Sequence, residues 1–213
     1  LNHINTYLVR DSVGWTLIDT GLNHAASREA WAAAFKQLKL SPAQIRRIIL
    51  THHHPDHFGM AGWFQAQGAG NVYMSPRERE LALLVWQGYS EQDFDSYMAA
   101  YGMPPELVAT VAHGMSSTAA MTHPHPPFIG VIEPGSTITI GERRFMALLA
   151  PGHSDGQMML YDAEDQLMLS GDHILMKITP NIGLWPDTQP DPLGRFMESL
   201  RTLLTYDVRL GLP

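Results

Sequence analysis

The stretch Thr51-His52-His53-His54-Pro55-Asp56-His57-Phe58-Gly59 is the part of this sequence that decides its fold. Its four histidines and one aspartate follow directly on a short apolar strand predicted at Arg47–Leu50. A packed core would gain nothing from four imidazoles, because each buried ring nitrogen needs a partner. The internal position and the Pro, Asp and Gly residues argue against an affinity tag, which leaves a solvated histidine-rich loop as the simple alternative to a metal site.

The spacing of the histidines predicts which of them point together. Side chains at i and i+2 of an extended chain share a face, so His52 and His54 are expected on one side and His53 on the other. Pro55 ends the strand, and Asp56 and His57 begin the following helix near the same place. Imidazole and carboxylate groups suit Zn²⁺, and also Fe²⁺ or Mn²⁺.

Two later loops carry similar residues, and each of them follows an apolar strand. The first is Ala150-Pro151-Gly152-His153-Ser154, and the second is Ser170-Gly171-Asp172-His173. A strand that ends in Gly-His or Gly-Asp places a polar side chain at a sheet edge on a loop that Gly permits. Three such junctions in one chain indicate a shared site.

Four motifs together resemble the metallo-beta-lactamase superfamily. They are the HxHxDH motif of His52–His57, the PGH of Pro151–His153, the GD of Gly171-Asp172 and the LIDTG of Leu17–Gly21. The resemblance implies an α/β fold, an αββα sandwich with a dinuclear metal site at one sheet edge. It assigns the first metal to His52, His54 and His153, the second to Asp56 and His57, and the bridge between them to Asp172.

The resemblance also implies the chemistry. Two zinc ions, or iron or manganese in their place, would hold a hydroxide at neutral pH, and Asp56 would orient it. The true β-lactamases that carry cysteine have it at the position of Asp172, and this chain has no cysteine. The glyoxalase II-like and lactonase-like branch is therefore favoured, with hydrolysis of an ester, thioester or lactone. A nuclease or phosphodiesterase, an iron-dependent sulfur dioxygenase and a non-catalytic metal-binding scaffold remain as alternatives.

Composition restricts the class of protein further. The 213 residues are 45% hydrophobic and are expected to form one domain, residues 1–213. The formal net charge of −7 makes nucleic acid an unlikely partner. A small-molecule substrate is what the resemblance implies. No apolar run is long enough to span a membrane, and the absence of cysteine fits a cytoplasmic location.

The hydrophobic pattern predicts strands and helices, then a helical block, then strands and helices again. The predicted strands are Ile4–Arg10, Trp15–Thr20, Arg47–Leu50, Asn71–Met74, Thr137–Ile140, Arg144–Leu149, Met158–Tyr161, Gln166–Leu169 and Val208–Leu210. The predicted helices are Ala25–Leu40, 56–67, 75–121 with breaks near Gly88 and Gly102–Pro105, and Leu193–Leu204. Ser75 and Glu78 read as a capping box.

The helical block, at about residues 75–122, reads as an insertion. It carries the apolar and aromatic residues Trp86, Tyr89, Phe94, Tyr97, Met98, Tyr101, Met103, Met115 and Met121. Most of these are expected to form a small helical core. The insertion can also supply a wall for an apolar acyl group or a homodimer interface, and the sequence does not separate the two.

The remaining histidines are expected to have smaller roles. His173 is predicted to support the site, and His123 and His125 to lie in an extended linker; His3, His24 and His113 have no context that marks them. The superfamily has one further histidine ligand after its last strand, where this sequence stops at Leu210–Pro213. The chain is therefore expected to be truncated, with the second metal only partly bound.

Overall fold

The structure is a computed structural model that describes residues 4–87 and 91–213. Its strands form two five-stranded sheets. The first sheet contains β1 (Tyr7–Asp11), β2 (Gly14–Ile18), β3 (Ile45–Ile49), β4 (Asn71–Met74) and β5 (Ile129–Val131) in that order. The second contains β6 (Thr137–Ile140), β7 (Arg143–Leu149), β8 (Met158–Asp162), β9 (Leu167–Leu169) and β10 (Leu210–Leu212), also in sequence order.

Seven α-helices surround the sheets in the described residues. They are α1 (Ala25–Leu38), α2 (Pro55–Phe58), α3 (Ala61–Ala66), α4 (Pro76–Ala82), α5 (Glu91–Ala100), α6 (Pro105–Ala120) and α7 (Pro192–Leu203). A π-helical turn, Leu83–Gln87, continues α4, and short 3₁₀ turns lie at Pro42–Gln44 and Gly171–His173. No described helix is both long and apolar enough to cross a membrane.

The period-two alternation of strand side chains builds the layers. In β3, Ile48 packs with Phe35 of α1 and Phe64 of α3, whereas the next residue, Ile49, packs against the second sheet. In β8, Leu160 lies between the sheets and Met159 lies on the face towards α7. Both faces of each sheet are therefore covered, and the predicted αββα order is confirmed.

Strand direction brings the loops of interest to one place. Strands β2 to β5 are parallel, and β6 to β9 are antiparallel with β10 added in parallel. The backbone N–H of Met158, at the start of β8, donates to the carbonyl of Thr51 at 2.9 Å, so the two sheets meet at the end of β3. The chain segments after β3, β7 and β9 emerge around this junction.

Several predicted boundaries change. The single helix predicted at 56–67 is two short helices, because the N–H of Met60 donates to the carbonyl of Gly21 at 2.8 Å and leaves the helical ladder. Strand β5 was not predicted, and the last strand is Leu210–Leu212, not Val208–Leu210. Gly88, Tyr89 and His3 lie outside the described residues. That residues 1–213 form one domain stays a prediction.

The capping box predicted at Ser75 is only half formed. The Ser75 hydroxyl accepts from the N–H of Glu78 at 3.2 Å and caps α4. The Glu78 carboxylate does not accept a hydrogen bond from the backbone N–H of Ser75, because four donors from other parts of the chain bind it. Ser41 and Gln44 form a complete capping box instead, at the 3₁₀ turn before β3.

Candidate metal centre

The segment after β3 delivers the histidine run to the junction of the sheets. His52 is fully buried and lies three residues beyond the end of β3, and His54 occupies the N-cap position of α2, with Pro55 as its first residue. Asp56 and His57 therefore lie in the first turn of α2. His53 points away from His52 and His54 and hydrogen bonds to Glu78, as the alternation predicted.

Two glycines allow the backbone conformation of the other two loops, which carry His153 and Asp172. Gly152 has a φ of +136°, and a Cβ there would lie 2.4 Å from the Cβ of Phe196 in α7. Gly171 has a φ of +49°, and a Cβ there would lie 2.9 Å from the hydroxyl of Thr51. Each glycine lets its loop approach a packed neighbour, and the next residue, His153 or Asp172, is thereby placed beside the histidine run.

The predicted site residues come together in two overlapping groups. One contains His52, His54 and His153, and the other His52, His57 and Asp172; the potential ligand atoms of each group lie within 4.8 Å of one another. His54 Nδ1 lies 2.9 Å from His153 Nε2. Asp56 lies at the edge, with its Oδ2 3.9 Å from His57 Nε2.

Asp172 lies between the two groups. Its Oδ1 is 3.3 Å from His57 Nε2, and its Oδ2 is 3.7 Å from His153 Nε2. The two oxygens of one carboxylate therefore face histidines of different groups. A carboxylate placed in this way can bridge two cations.

Hydrogen bonds on the far side of the rings fix their tautomers. His153 Nδ1 donates to the backbone carbonyl of Asn181 at 2.7 Å, so its Nε2 lone pair faces the group. The Thr51 hydroxyl donates to Asp19 at 2.8 Å, so His52 Nδ1 donates to that hydroxyl at 2.9 Å. His57 Nδ1 donates to the same Asp19 carboxylate at 2.8 Å.

Asp19 itself adopts an unusual backbone conformation. Its φ is +56°, it is 3% exposed, and it also accepts from the N–H of Thr51 at 2.8 Å. One buried carboxylate thus orients His57 directly and His52 through Thr51. Asp19 belongs to the LIDTG motif, but nothing in the local sequence indicates this role.

The buried ring nitrogens test whether a metal fits. His52 Nε2 and His57 Nε2 are buried, and neither makes a hydrogen bond of ordinary geometry to any described residue. A buried polar atom without a partner is costly, and a cation coordinated there would satisfy both. Four imidazoles and two carboxylates are ligands that suit zinc, iron or manganese. The residues present therefore fit metal ions.

The pKa shifts follow from burial and from neighbouring charge. Burial, and then the positive charge of His57, lower the pKa of His52 well below its usual value; burial and the neighbouring histidines lower the pKa of His54 in the same way. Burial also lowers the pKa of His57, but the carboxylates of Asp19, Asp172 and Asp56 outweigh it and raise that pKa well above its usual value. The centre is thus built to hold positive charge beside Asp172.

Burial lowers the pKa of His153, and the carbonyl of Asn181 and the carboxylate of Asp172 offset only part of the effect. Burial raises the pKa of Asp172, but the close approach and the positive charge of His57 more than compensate, so the pKa is lower than usual. His153 is therefore favoured as a neutral imidazole and Asp172 as a carboxylate. These are the protonation states that metal ligands need.

Behind the centre lies a hydrogen-bond network that no sequence motif predicted. The fully buried carboxylate of Glu78 accepts from the backbone N–H and the Nδ1 of His53, both at 2.7 Å, and from the Ser154 hydroxyl at 2.6 Å. Burial raises the pKa of Glu78, but the charge of His53 and the hydrogen bonds lower it by a larger amount. The pKa of Glu78 is therefore below its usual value. Glu78 thereby ties the insertion to two of the three ligand-bearing loops, those of His53 and Ser154. Its partners lie 25 to 78 residues away in sequence, so no local pattern could reveal them.

The other histidines lie apart from these groups. His173 Nε2 pairs with the Ser199 hydroxyl at 2.8 Å, so this ring is turned towards α7. His123 and His125 stack on each other at 4.0 Å. His24 caps α1 by accepting from the N–H of Ser27 at 3.1 Å, and His113 is exposed on α6.

A cavity of about 500 Å³ opens over the centre. His54, Asp56, His153 and Asp172 lie at its edge, together with side chains of the helical insertion and of the segment after Asp172. A substrate in this cavity would contact the ligand groups directly. The insertion therefore contributes a wall to the candidate site, whereas a dimer interface on it stays a prediction.

Residues 1–210 match the family model of the metallo-beta-lactamase superfamily. The chain belongs to this superfamily. Its sequence is 26% identical to the probable metallo-hydrolase YqjP of Bacillus subtilis, over 97% of this chain and 65% of that protein. It is 24% identical to the human acyl-coenzyme A thioesterase MBLAC2, over 80% of this chain and 58% of that protein.

Solved structures of the metallo-beta-lactamase superfamily have the same fold. A family protein from Thermus thermophilus aligns with a TM-score of 0.87 and 30% identity, over 98% of this chain and 67% of that one. BJP-1, a subclass B3 metallo-beta-lactamase of Bradyrhizobium japonicum, aligns with a TM-score of 0.69 at 17% identity, over 98% of this chain and 70% of that one, which shows the fold alone. The chain spans less than two thirds of the length of YqjP and of MBLAC2.

Proposed function

We propose that the protein is a metal-dependent hydrolase that cleaves an ester, thioester or lactone bond of a small molecule. The proposed ligands of two zinc ions are His52, His54 and His153 for the first, Asp56 and His57 for the second, and Asp172 for both. The observation that carries the proposal is the placement of Asp172, whose two oxygens lie 3.3 and 3.7 Å from histidines of different groups.

Bound metal ions would supply Lewis acidity and lower the pKa of water, so that a nucleophile exists at neutral pH. The chain's own residues prepare the site for this chemistry. Asp56 faces the cavity, where its carboxylate would accept a hydrogen bond from the attacking water and orient it. Asp19, Thr51 and the carbonyl of Asn181 hold the rings of His52, His57 and His153 with their Nε2 atoms towards the candidate metal site.

Two observations favour an acyl substrate over a phosphodiester. Among the described residues that line the cavity there is no lysine or arginine, the side chains that usually bind phosphate. The human relative is named an acyl-coenzyme A thioesterase, and a relative from Aspergillus fumigatus, 21% identical, is named an atrochrysone carboxyl ACP thioesterase. Both names describe thioester cleavage, which supports testing this activity first among the three.

The first test is a substrate panel with metal analysis. Full-length protein is loaded with zinc, iron or manganese in turn, the bound metal is counted, and thioesters, esters, lactones, β-lactams and phosphodiesters are offered. We expect two metal ions per chain and turnover of at least one acyl substrate. Turnover confined to phosphodiesters, or to a persulfide with iron alone, would replace the proposal with one of the alternatives.

The second test removes the proposed bridge. Asp172→Ala should lower kcat/KM by about a hundredfold or more, because both metal ions would lose their shared ligand and its negative charge. His113→Ala, which removes an exposed histidine outside the cavity lining, is the matched control and should keep wild-type activity. Near-normal turnover by Asp172→Ala, with the fold intact by circular dichroism, would contradict the dinuclear mechanism.

A further inference from the structure

The cavity over the metal centre has two walls that are mainly hydrocarbon. The helical insertion contributes Leu81, Leu84, Val85, Trp86, Phe94 and Met115. The opposite wall is part of the segment 174–188 and includes Leu175, Ile178 and Trp185. The candidate ligand residues lie at the edge of the same space, so a molecule bound between the walls would have one end at the metal centre.

The polar atoms of the insertion wall are occupied elsewhere. Trp86 is 6% exposed, and its indole N–H donates to the backbone carbonyl of His53 at 2.7 Å. What Trp86 presents to the cavity is therefore ring carbon. Leu84, in the same π-helical turn, is 43% exposed, an exposure that a bound apolar group would reduce.

The charges around the cavity disfavour an anion inside it. The lining includes the carboxylates of Asp56, Asp155, Asp172 and Asp187, and no lysine or arginine among the described residues. Asp155 is buried and already paired with Arg77 at 2.9 Å and with Arg195 at 2.7 Å. Metal ions at the centre would offset Asp56 and Asp172. The space between the walls is thus suited to an uncharged group.

The second wall is held in place before any ligand binds. The Tyr97 hydroxyl donates to the carbonyl of Leu184 at 3.0 Å, which ties α5 of the insertion to the segment 174–188. The N–H of Gln189 donates to Asp155 at 2.9 Å, and Arg77 donates to the carbonyl of Asp187. A preformed apolar cavity binds its ligand at a small cost in ordering.

We propose that this cavity binds the uncharged, unbranched hydrocarbon chain of the acyl group, with the scissile carbonyl at the metal centre. The inference rests on the proposed function and names its substrate class as medium-chain acyl esters or thioesters. The chain lies between the insertion and the segment 174–188, and the leaving group points to solvent. Each added methylene contacts further wall until the cavity is filled.

The kinetic test uses metal-loaded protein and a homologous series of acyl thioesters, from acetyl through butanoyl, hexanoyl and octanoyl to decanoyl. We expect kcat/KM to rise by up to about fourfold per methylene and then to level off, as burial of each methylene predicts. An octanoyl substrate with a terminal carboxylate should be at least about tenfold poorer than octanoyl itself, because a charge is lost from water. A flat series would overturn the inference.

Two tryptophan substitutions on α6 distinguish an effect of the cavity wall from a general effect of changing this helix. Met115→Trp narrows the cavity and should reduce the decanoyl-to-acetyl ratio of kcat/KM by about tenfold or more. Leu107→Trp, at a half-exposed position on the same helix outside the cavity lining, should leave the ratio unchanged. Equal ratios in the two variants would count against this wall.

A binding measurement separates this inference from the proposed activity. Calorimetric titration with 1-butanol, 1-hexanol, 1-octanol and 1-decanol needs no hydrolysis, and we expect affinity to grow with length and to weaken in Met115→Trp but not in Leu107→Trp. A negative heat-capacity change should accompany binding. Alkanol binding without hydrolysis of any ester would refute the proposed function alone; hydrolysis with neither alkanol binding nor length dependence would refute the cavity inference alone.

Discussion

At the scale of single residues, the carboxylate of Glu78 accepts four hydrogen bonds inside the protein. Two come from His53, one from the Ser154 hydroxyl and one from the N–H of Gly156. His53 and Ser154 flank the candidate ligands His52, His54 and His153 in sequence. The buried charge therefore holds two ligand loops in register without touching the ligands.

Glu78→Gln should destabilise the fold by about 2–4 kcal/mol. The amide NH₂ group would replace a carboxylate oxygen that accepts hydrogen bonds, so those donors would lose their acceptor. Urea unfolding at neutral pH measures the change. Glu80→Gln, on the same helix with a side chain 58% exposed, is the control and should stay within about 0.5 kcal/mol of wild type. Equal stability of the two variants would mean that the network is not needed.

The same variant has a signature in pH. The folded pKa of Glu78 is lowered, so its stabilising contribution is fully present above the unfolded pKa of about 4.3 and is lost as the pH falls through the folded value. The stability difference between wild type and Glu78→Gln should therefore be constant at neutral pH and shrink in acid. A difference that grew as the pH fell would have the wrong sign for a carboxylate.

At the scale of elements, two glycines in helices test how tightly each helix is packed. In α3, a Cβ on Gly62 would lie 1.9 Å from the carbonyl oxygen of Pro124, so the helix rests directly on the backbone that follows the insertion. In α6, a Cβ on Gly114 would meet nothing within 4 Å. The two helices therefore differ in what surrounds their backbone.

Gly62→Ala should cost about 2 kcal/mol or more, because one of two backbone segments must move. Gly114→Ala should instead stabilise the protein by about 0.5–1 kcal/mol, since alanine is the better helix former and no contact opposes it. Denaturant unfolding of both variants under equal metal loading measures the pair. A stabilising Gly62→Ala would show that α3 lies farther from Pro124.

At the scale of the whole molecule, the candidate ligands come from both sheets. His52, His54 and His57 follow β3 of the first sheet, whereas His153 and Asp172 follow β7 and β9 of the second. Metal ions bound by these residues would link the two halves of the sandwich. Since such a site is assembled only in the folded state, binding free energy adds to the free energy of unfolding.

Chelation should therefore lower the melting temperature of metal-loaded protein by on the order of 10 °C. The figure follows from about 4 kcal/mol of stabilisation at a metal concentration a thousandfold above Kd, and from about 2–4 °C per kcal/mol at this size. Differential scanning calorimetry with and without chelator measures the shift. In Asp172→Ala the shift should be smaller, and an unchanged shift would exclude Asp172 as a ligand.

The sequence by itself determined the parts of this protein that depend on local pattern. Alternation in the segment after β3 separates His53 from His52 and His54, and apolar runs locate most of the strands to within a few residues. The motifs at His52–His57, Pro151–His153 and Gly171-Asp172 were enough to assign the αββα fold. Each of these signals spans a few consecutive residues, where backbone geometry alone sets the direction of side chains.

The tertiary structure decided the features that join distant segments. The local pattern predicted Glu78 as half of a capping box, because its donors from His53 and Gly156 are distant in sequence. It predicted 56–67 as one helix, because the carbonyl of Gly21 that binds the N–H of Met60 is also distant in sequence. The cavity is likewise lined by residues distant in sequence, from the insertion and from the segment 174–188, so local pattern could not show which face of the insertion lines it. Long-range hydrogen bonds and packing outweigh local propensity wherever a buried polar group must find a partner, and only folding fixes which partner that is.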